Sequence, residues 1–230
     1  MKAFVVDLDN SKNQIMLKPI ARSFNNQAHQ INEAAEKIHE LIKNARYSND
    51  NIVLKRNEIK EAFFSPFKPQ LKNAQVFLSH SHVDRNKALK VKGYLEEDLD
   101  AECVFIDSLF WDYKDDVLNK LAEYAEYDDN DISVIEDAFT LILRESLQDM
   151  IEKCPYFVFL QSKNSVSLNQ DLLKITYSAW IYEELKIAHS ISESRPIPMM
   201  ESMQVFHDIS PFLESLKTIT LKKLSQQINS

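Results

Sequence analysis

From residue 73 onward, short apolar runs alternate with stretches in which apolar residues recur every three or four positions. The runs are QVFLS (75–79), CVFID (103–107) and YFVFL (156–160), with weaker ones at PIPMM (196–200) and MQVF (203–206). Helical spacing fills the intervals at about 84–97, 115–125, 138–153 and 178–190, and a last amphipathic helix is expected at about 211–228. Strands separated by helices need crossover connections, which build a parallel sheet covered on both faces. The expected class is therefore α/β, with a doubly wound sheet. Ligands of such sheets bind beyond the carboxyl ends of the strands. Three polar or aromatic segments fall there: Ser79 to Arg85, Asp107 to Tyr113, and the segment leading from Leu160 to Ser178.

The first 73 residues have a different pattern. Phe24, Ala28, Ile31, Ala35, Ile38, Ile42 and Ala45 recur in steps of four and three, a short heptad seam over 23–46. Its alanines favour an amphipathic helix lying on its own domain, with a contact between subunits as the other reading. Pro66 and Pro69 then mark a linker. The expected division is an extension over 1–73 and a main domain over 74–230.

Charge follows the same boundary. Residues 1–73 carry 12 Lys and Arg against 8 Asp and Glu, whereas 74–230 carry 15 against 27, within a net charge of -8. An acidic main domain argues against nucleic-acid binding, which requires neutralised phosphates. Seven acids crowd Glu123 to Asp137, without the glycine and terminal glutamate of an EF-hand loop, and a solvated insertion is expected. No apolar run is long enough to span a membrane, and the N-terminus lacks a signal-peptide core, so the expected location is the cytoplasm. Cys103 and Cys154 stand in or beside apolar runs, as buried free thiols do. Gly93 is the single glycine of the 230 residues, which excludes both a Walker loop and a GxGxxG fingerprint. A nucleotide would have to be held by side chains.

Candidate chemistry begins at VFLSHSHVDR (76–85). His80, His82 and Asp84 could ligate zinc, as in a zinc-dependent hydrolase, but Arg85 stands where the metallo-β-lactamase-like pattern wants a further histidine. Taken with VFIDSLFWDYKDDVLNKL and SAWIYEELKIAHS, in that order, the same stretch resembles the Toll/interleukin-receptor (TIR) domain of bacterial proteins. The resemblance covers 74–230. It implies a flavodoxin-like, five-stranded parallel sheet and, in the enzymatic members, cleavage of NAD at the nicotinamide–ribose bond by the glutamate of Trp-x-x-x-Glu.

That pattern falls on Trp180 and Glu184. The resemblance implies Glu184 as the catalytic residue and a substrate site drawn from Ser79, His80, Asp84, Arg85, Asp107, Ser108, Trp111, Ser178 and Trp180. It makes Ser108 to Tyr113 a mobile or subunit-contacting loop. It needs no cofactor beyond NAD as substrate, and it implies homo-oligomeric assembly, a defence-system partner and an anti-phage role. Ile181 and Tyr182 depart from the Cys and Leu of many relatives. Spacing alone puts Trp180 on one helical face with both Glu183 and Glu184, behind a Ser178 cap. The alternative function is a TIR interaction module without catalysis.

Overall fold

The computed structural model describes residues 1–17, 28–44, 46–48, 51–53, 55–64, 72–99, 103–106, 108–124, 129–168, 173–192 and 207–229. Their strands are β1 (Lys2–Asp7), β2 (Arg46–Ser48), β3 (Asn51–Val53), β4 (Val76–Ser79), β5 (Val104–Ile106), β6 (Tyr156–Gln161), β7 (Ser167–Leu168), β8 (Lys174–Thr176), β9 (His207–Asp208) and β10 (Lys217–Thr218). The helices are α1 (Ser11–Met16), α2 (Ala28–Lys43), α3 (Arg56–Phe64), α4 (Arg85–Leu99), α5 (Ser108–Ala122), α6 (Asp129–Lys153), α7 (Ala179–Ser192), α8 (Ser210–Ser215) and α9 (Leu221–Ile228). A 3-10 turn, His82–Asp84, precedes α4. Contacts divide the chain into two compact units: Met1–Ala21 with Asn73–Ser108 and Leu147–Ser230, and Arg22–Lys72 with Leu109–Ser146.

The first unit is built on a five-stranded sheet in the order β10-β1-β6-β4-β5, parallel throughout. The fold is thus α/β around a parallel sheet, as the alternating pattern leads one to expect. Two of its strands were not anticipated. β1 comes from the stretch assigned to an N-terminal extension, and it pairs along its full length with β6 from Lys2↔Tyr156 to Asp7↔Gln161. The boundary drawn at residue 73 is therefore corrected, since residues 1–21 belong with the sheet. β10 interrupts the helix expected over 211–228. Leu216 turns extended at ψ 134°, Lys217 and Thr218 pair with Phe4 and Val5, and the Thr220 side chain caps α9 by accepting from the Lys223 N–H. Thr218, Ile219 and Thr220 are β-branched, so the local chain favours that break. The weaker strands expected at 196–200 and 203–206 lie outside the described residues.

Strand register shows which helices cover which face. Phe77 lies opposite both Phe105 and Phe157, with ring centroids 5.8 and 5.9 Å away, so an aromatic row crosses β5, β4 and β6. Two residues on, Ser79 shares that face. Tyr156 points to the other face, where its hydroxyl donates to the Gln227 carbonyl of α9, and α9 packs on α4. The α4 and α9 helices thus cover one face. α7 covers the face of Ser79, as the contact described below requires.

At the free edge of β5, side chains of α4 substitute for a further strand. The Val104 N–H donates to Glu96 at 3.0 Å, Lys92 donates to the Val104 carbonyl at 2.6 Å, and Lys92 and Glu96 pair at 2.5 Å, both buried. With its N–H and carbonyl taken by side chains, Val104 does not offer them for pairing with another chain.

The second unit contains α2, α3, the β2–β3 hairpin and most of both α5 and α6. Ala35, Ile38 and Ile42 of the heptad seam are buried there, and α2 packs on α3. Those seam positions are occupied within the chain and not open to a coiled-coil partner. Two loop expectations are also corrected. Residues 108–113 are the start of α5, the helix whose later turns bury Lys114, Val117 and Leu121. Most of the acidic insertion is the start of α6, where carboxylates favour a helix N-terminus. Cys103 and Cys154 are buried and free; burial raises both thiol pKa values, that of Cys154 to about 12.

Replacing Glu96 by Gln or Lys92 by Met should lower unfolding stability by about 3 kcal/mol, because one buried charge is left without its partner. In urea titrations the double replacement should recover part of that loss.

Candidate functional site

Two consecutive connections leave the sheet in opposite directions. β4 connects to its neighbour β5 on one side, and the chain then returns to β6 on the other side of β4. Ligands of parallel sheets bind at such a switch, beyond the carboxyl ends of the two strands. The residues ending those strands, Ser79 and Gln161 with the following Ser162, stand at that edge of the sheet, where Ser79 and Ser162 are buried.

Ser79 is fully buried, opposite Phe159 of β6. Its Oγ–H donates to Glu184 Oε2 at 2.5 Å. Glu184 belongs to the buried stripe of α7, with Ile181, Leu185 and Ala188, and has 0% exposure. The residue between them in the helical register is decided as well. Glu183 is half-buried and approaches Lys186 at 3.9 Å, so of the two adjacent glutamates only Glu184 turns toward the sheet. A carboxylate enclosed in an apolar seam is costly unless it is hydrogen-bonded, and Ser79 supplies such a bond.

The start of α7 is fixed by its own cap. Ser178 Oγ accepts the Ile181 N–H at 3.3 Å, as the sequence suggested, and Thr176 at the end of β8 accepts the Ser178 N–H. Trp180 is half-buried one turn before Glu184. The far side of α7 packs on α8 through Tyr182, His189 and Phe212.

At the same edge, Asp84 is buried and holds the turn that follows β6. Ser162 Oγ–H donates to Asp84 Oδ2, Asn164 Nδ2 to Oδ1 at 3.0 Å, and Lys87 pairs with Oδ1 at 3.0 Å. Lys87 also lies 3.8 Å from Asp9, which accepts the Lys163 N–H, so the loop after β1 joins the same rim. Burial alone would raise the Asp84 carboxyl pKa. The hydrogen bonds from Ser162, Lys87 and Asn164, with the Lys87 charge, outweigh it and hold the carboxyl below the ordinary carboxylate range.

Of the expected site residues, the structure brings Ser79, Asp84, Ser178, Trp180 and Glu184 to this rim. His80 is buried beside Ser79, and Arg85 is the half-buried first residue of α4. Ser108 and Trp111 lie in α5, and Asp107 lies outside the described residues. Lys87, Ser162, Asn164 and Asp9 were not singled out from the sequence, although the polar run QSKNS directly after an apolar strand was the available signal. His80 is buried, His82 is exposed, Asp84 is engaged through both oxygens, and among the described residues no three such side chains are grouped to hold a metal. No family model, curated protein or solved structure matches the chain. Among the described residues no helix is long and apolar enough to cross a membrane.

The Asp84 pKa is lower folded than unfolded, so its contribution to stability is complete above the ordinary carboxylate value near about 4 and is lost as pH falls through the depressed value. Urea midpoints should therefore show parent and Asp84→Asn converging as pH falls from about 6 to about 3. A constant gap across that range would show that Asp84 is not the titrating group.

Proposed function

We propose that the chain is an NAD-cleaving enzyme of the TIR type, with Glu184 as its catalytic carboxylate. The observation that carries this reading is the place of Glu184: buried on the sheet-facing stripe of α7 and hydrogen-bonded to the last residue of β4, at the edge of the sheet where ligands of parallel sheets generally bind. Counted from β4, the spatial order second, first, third suits the flavodoxin-like sheet that the TIR resemblance implies, although β1, from the N-terminus, occupies the fourth place.

The chemistry needs one carboxylate. Nicotinamide leaves NAD as a neutral base from a cationic ring, so no acid has to protonate it, unlike the leaving group of an ordinary glycosidase. A carboxylate beside the ribose stabilises the positive charge that develops on the sugar, most strongly where water is excluded. Ser79 orients that carboxylate, Trp180 walls the site, and Arg85 supplies a cation for the phosphates where the chain has no glycine loop. Because Glu184 has no exposure, the sugar reaches it only when the first turns of α7 move away from β4. The biological reading that accompanies the resemblance is defence by NAD consumption, in an assembly of subunits.

The same complete burial favours a second reading, in which Glu184 ties helix to sheet and the domain serves as a TIR interaction module without catalysis.

Nicotinamide release from NAD by concentrated protein separates the two. The enzyme reading predicts turnover that falls about 10²-fold or more in Glu184→Gln while the variant keeps its fold. Absent turnover in the parent, or equal turnover in Glu184→Gln, would leave the interaction module.

A further inference from the structure

Two residues of one short loop hold the two ends of the structure that carries Glu184. Ser79 holds Glu184 itself. Five residues later, Asp84 holds Ser162 and Asn164, and the loop between is closed by the Asp84 N–H donating to the Ser81 carbonyl at 2.8 Å. From Ser162 toward Glu184 the described residues are linked by hydrogen bonds and strand pairing. The turn closes on itself, with Ser165 Oγ accepting the Ser162 N–H and the Ser162 carbonyl accepting from Ser165 and Val166. β7 pairs antiparallel with β8 through Ser167↔Ile175 and Leu168↔Lys174. β8 is held in turn by Ser210, whose Oγ accepts the Lys174 N–H, and by the Ile209 N–H donating to Lys174. Thr176 and Ser178 then fix where α7 begins.

We propose that Asp84 is a positioning residue for Glu184, acting through the 162–168 turn, the β7–β8 pair and the start of α7, and that it is not a ligand of the substrate. The proposal rests on the reading of Glu184 as the reacting carboxylate. It revises the role that the TIR resemblance gave Asp84. Its side chain is 1% exposed and both its oxygens are taken by Ser162, Asn164 and Lys87, which leaves no acceptor facing a nucleotide. A helix whose start is displaced by a fraction of a turn carries Glu184 away from Ser79, because the residue lies only five positions from the first residue of α7. Placement of a reacting group governs the chemical step more than substrate affinity.

The test uses the full chain with Asp84→Asn and, as a milder variant, Ser162→Ala, which removes one donor from the same carboxylate. Hydrogen exchange read by mass spectrometry should quicken about tenfold in peptides covering 174–184 and stay unchanged in β4 and β6. Carbodiimide-promoted coupling of an amine to Glu184 should rise from background in both variants. With NAD, kcat should fall about tenfold in Asp84→Asn while KM stays within about twofold. A rise in KM at unchanged kcat would make Asp84 a substrate ligand and overturn the proposal. So would faster exchange confined to 162–168, or a uniform rise across all five strands, which would make Asp84 a general stability element. If no form of the protein cleaves NAD, the enzyme reading fails, and exchange and coupling at Glu184 still decide whether Asp84 positions it.

Discussion

The hydrogen bond between Ser79 and Glu184 joins the carboxyl end of a central strand to the buried stripe of a helix, and the arrangement of the rim follows from it. In water such a bond exchanges for others at little net gain. In an apolar seam, a hydrogen bond to a charged group contributes about 1.5–3 kcal/mol, and its loss removes one of the contacts that hold the carboxylate. The pairing therefore fixes the rotation of α7: Ile181, Leu185 and Ala188 face the sheet with Glu184, while Glu183 and Lys186 face outward. A helix rotated by one residue would bury Glu183 and expose Leu185, losing both the hydrogen bond and the apolar contact.

Sheet topology gives that bond its chemical interest. The connections after β4 and β6 diverge, and buried polar groups gather where those two strands end. The rim makes two separate contacts, Ser79 with Glu184 and Asp84 with Ser162 and Asn164. Neither needs a glycine-rich loop. A chain with one glycine can hold a phosphate at this rim only through side chains.

How much of this was visible in the sequence depends on how local the cause is. β4, β5 and β6 are apolar runs bounded by helical spacing and were legible as strands. β1 has the same character, yet its place in the sheet rests on pairing with residues about 150 positions away, which no local pattern expresses. β10 was hidden for a different reason: Phe212, Leu216 and Leu224 keep helical spacing, while the pairing of Lys217 and Thr218 with β1 overrides it. At the site, the spacing of Trp180 and Glu184 marked the right helix, and Ser178 marked its cap. The choice of Glu184 over Glu183 needed the resemblance, since both glutamates are compatible with one face. The clamp by Asp84 was illegible, because Ser162 and Asn164 lie 78 and 80 residues away in sequence.

The central claim is that Ser79 and Glu184 act as one coupled pair. A double-mutant cycle with Ser79→Ala, Glu184→Gln and the combined variant, read from urea unfolding at neutral pH, measures that coupling directly. The account predicts an interaction energy of about 1.5–3 kcal/mol between the two sites. Additivity within about 0.5 kcal/mol would contradict it, leaving Glu184 held by contacts other than Ser79.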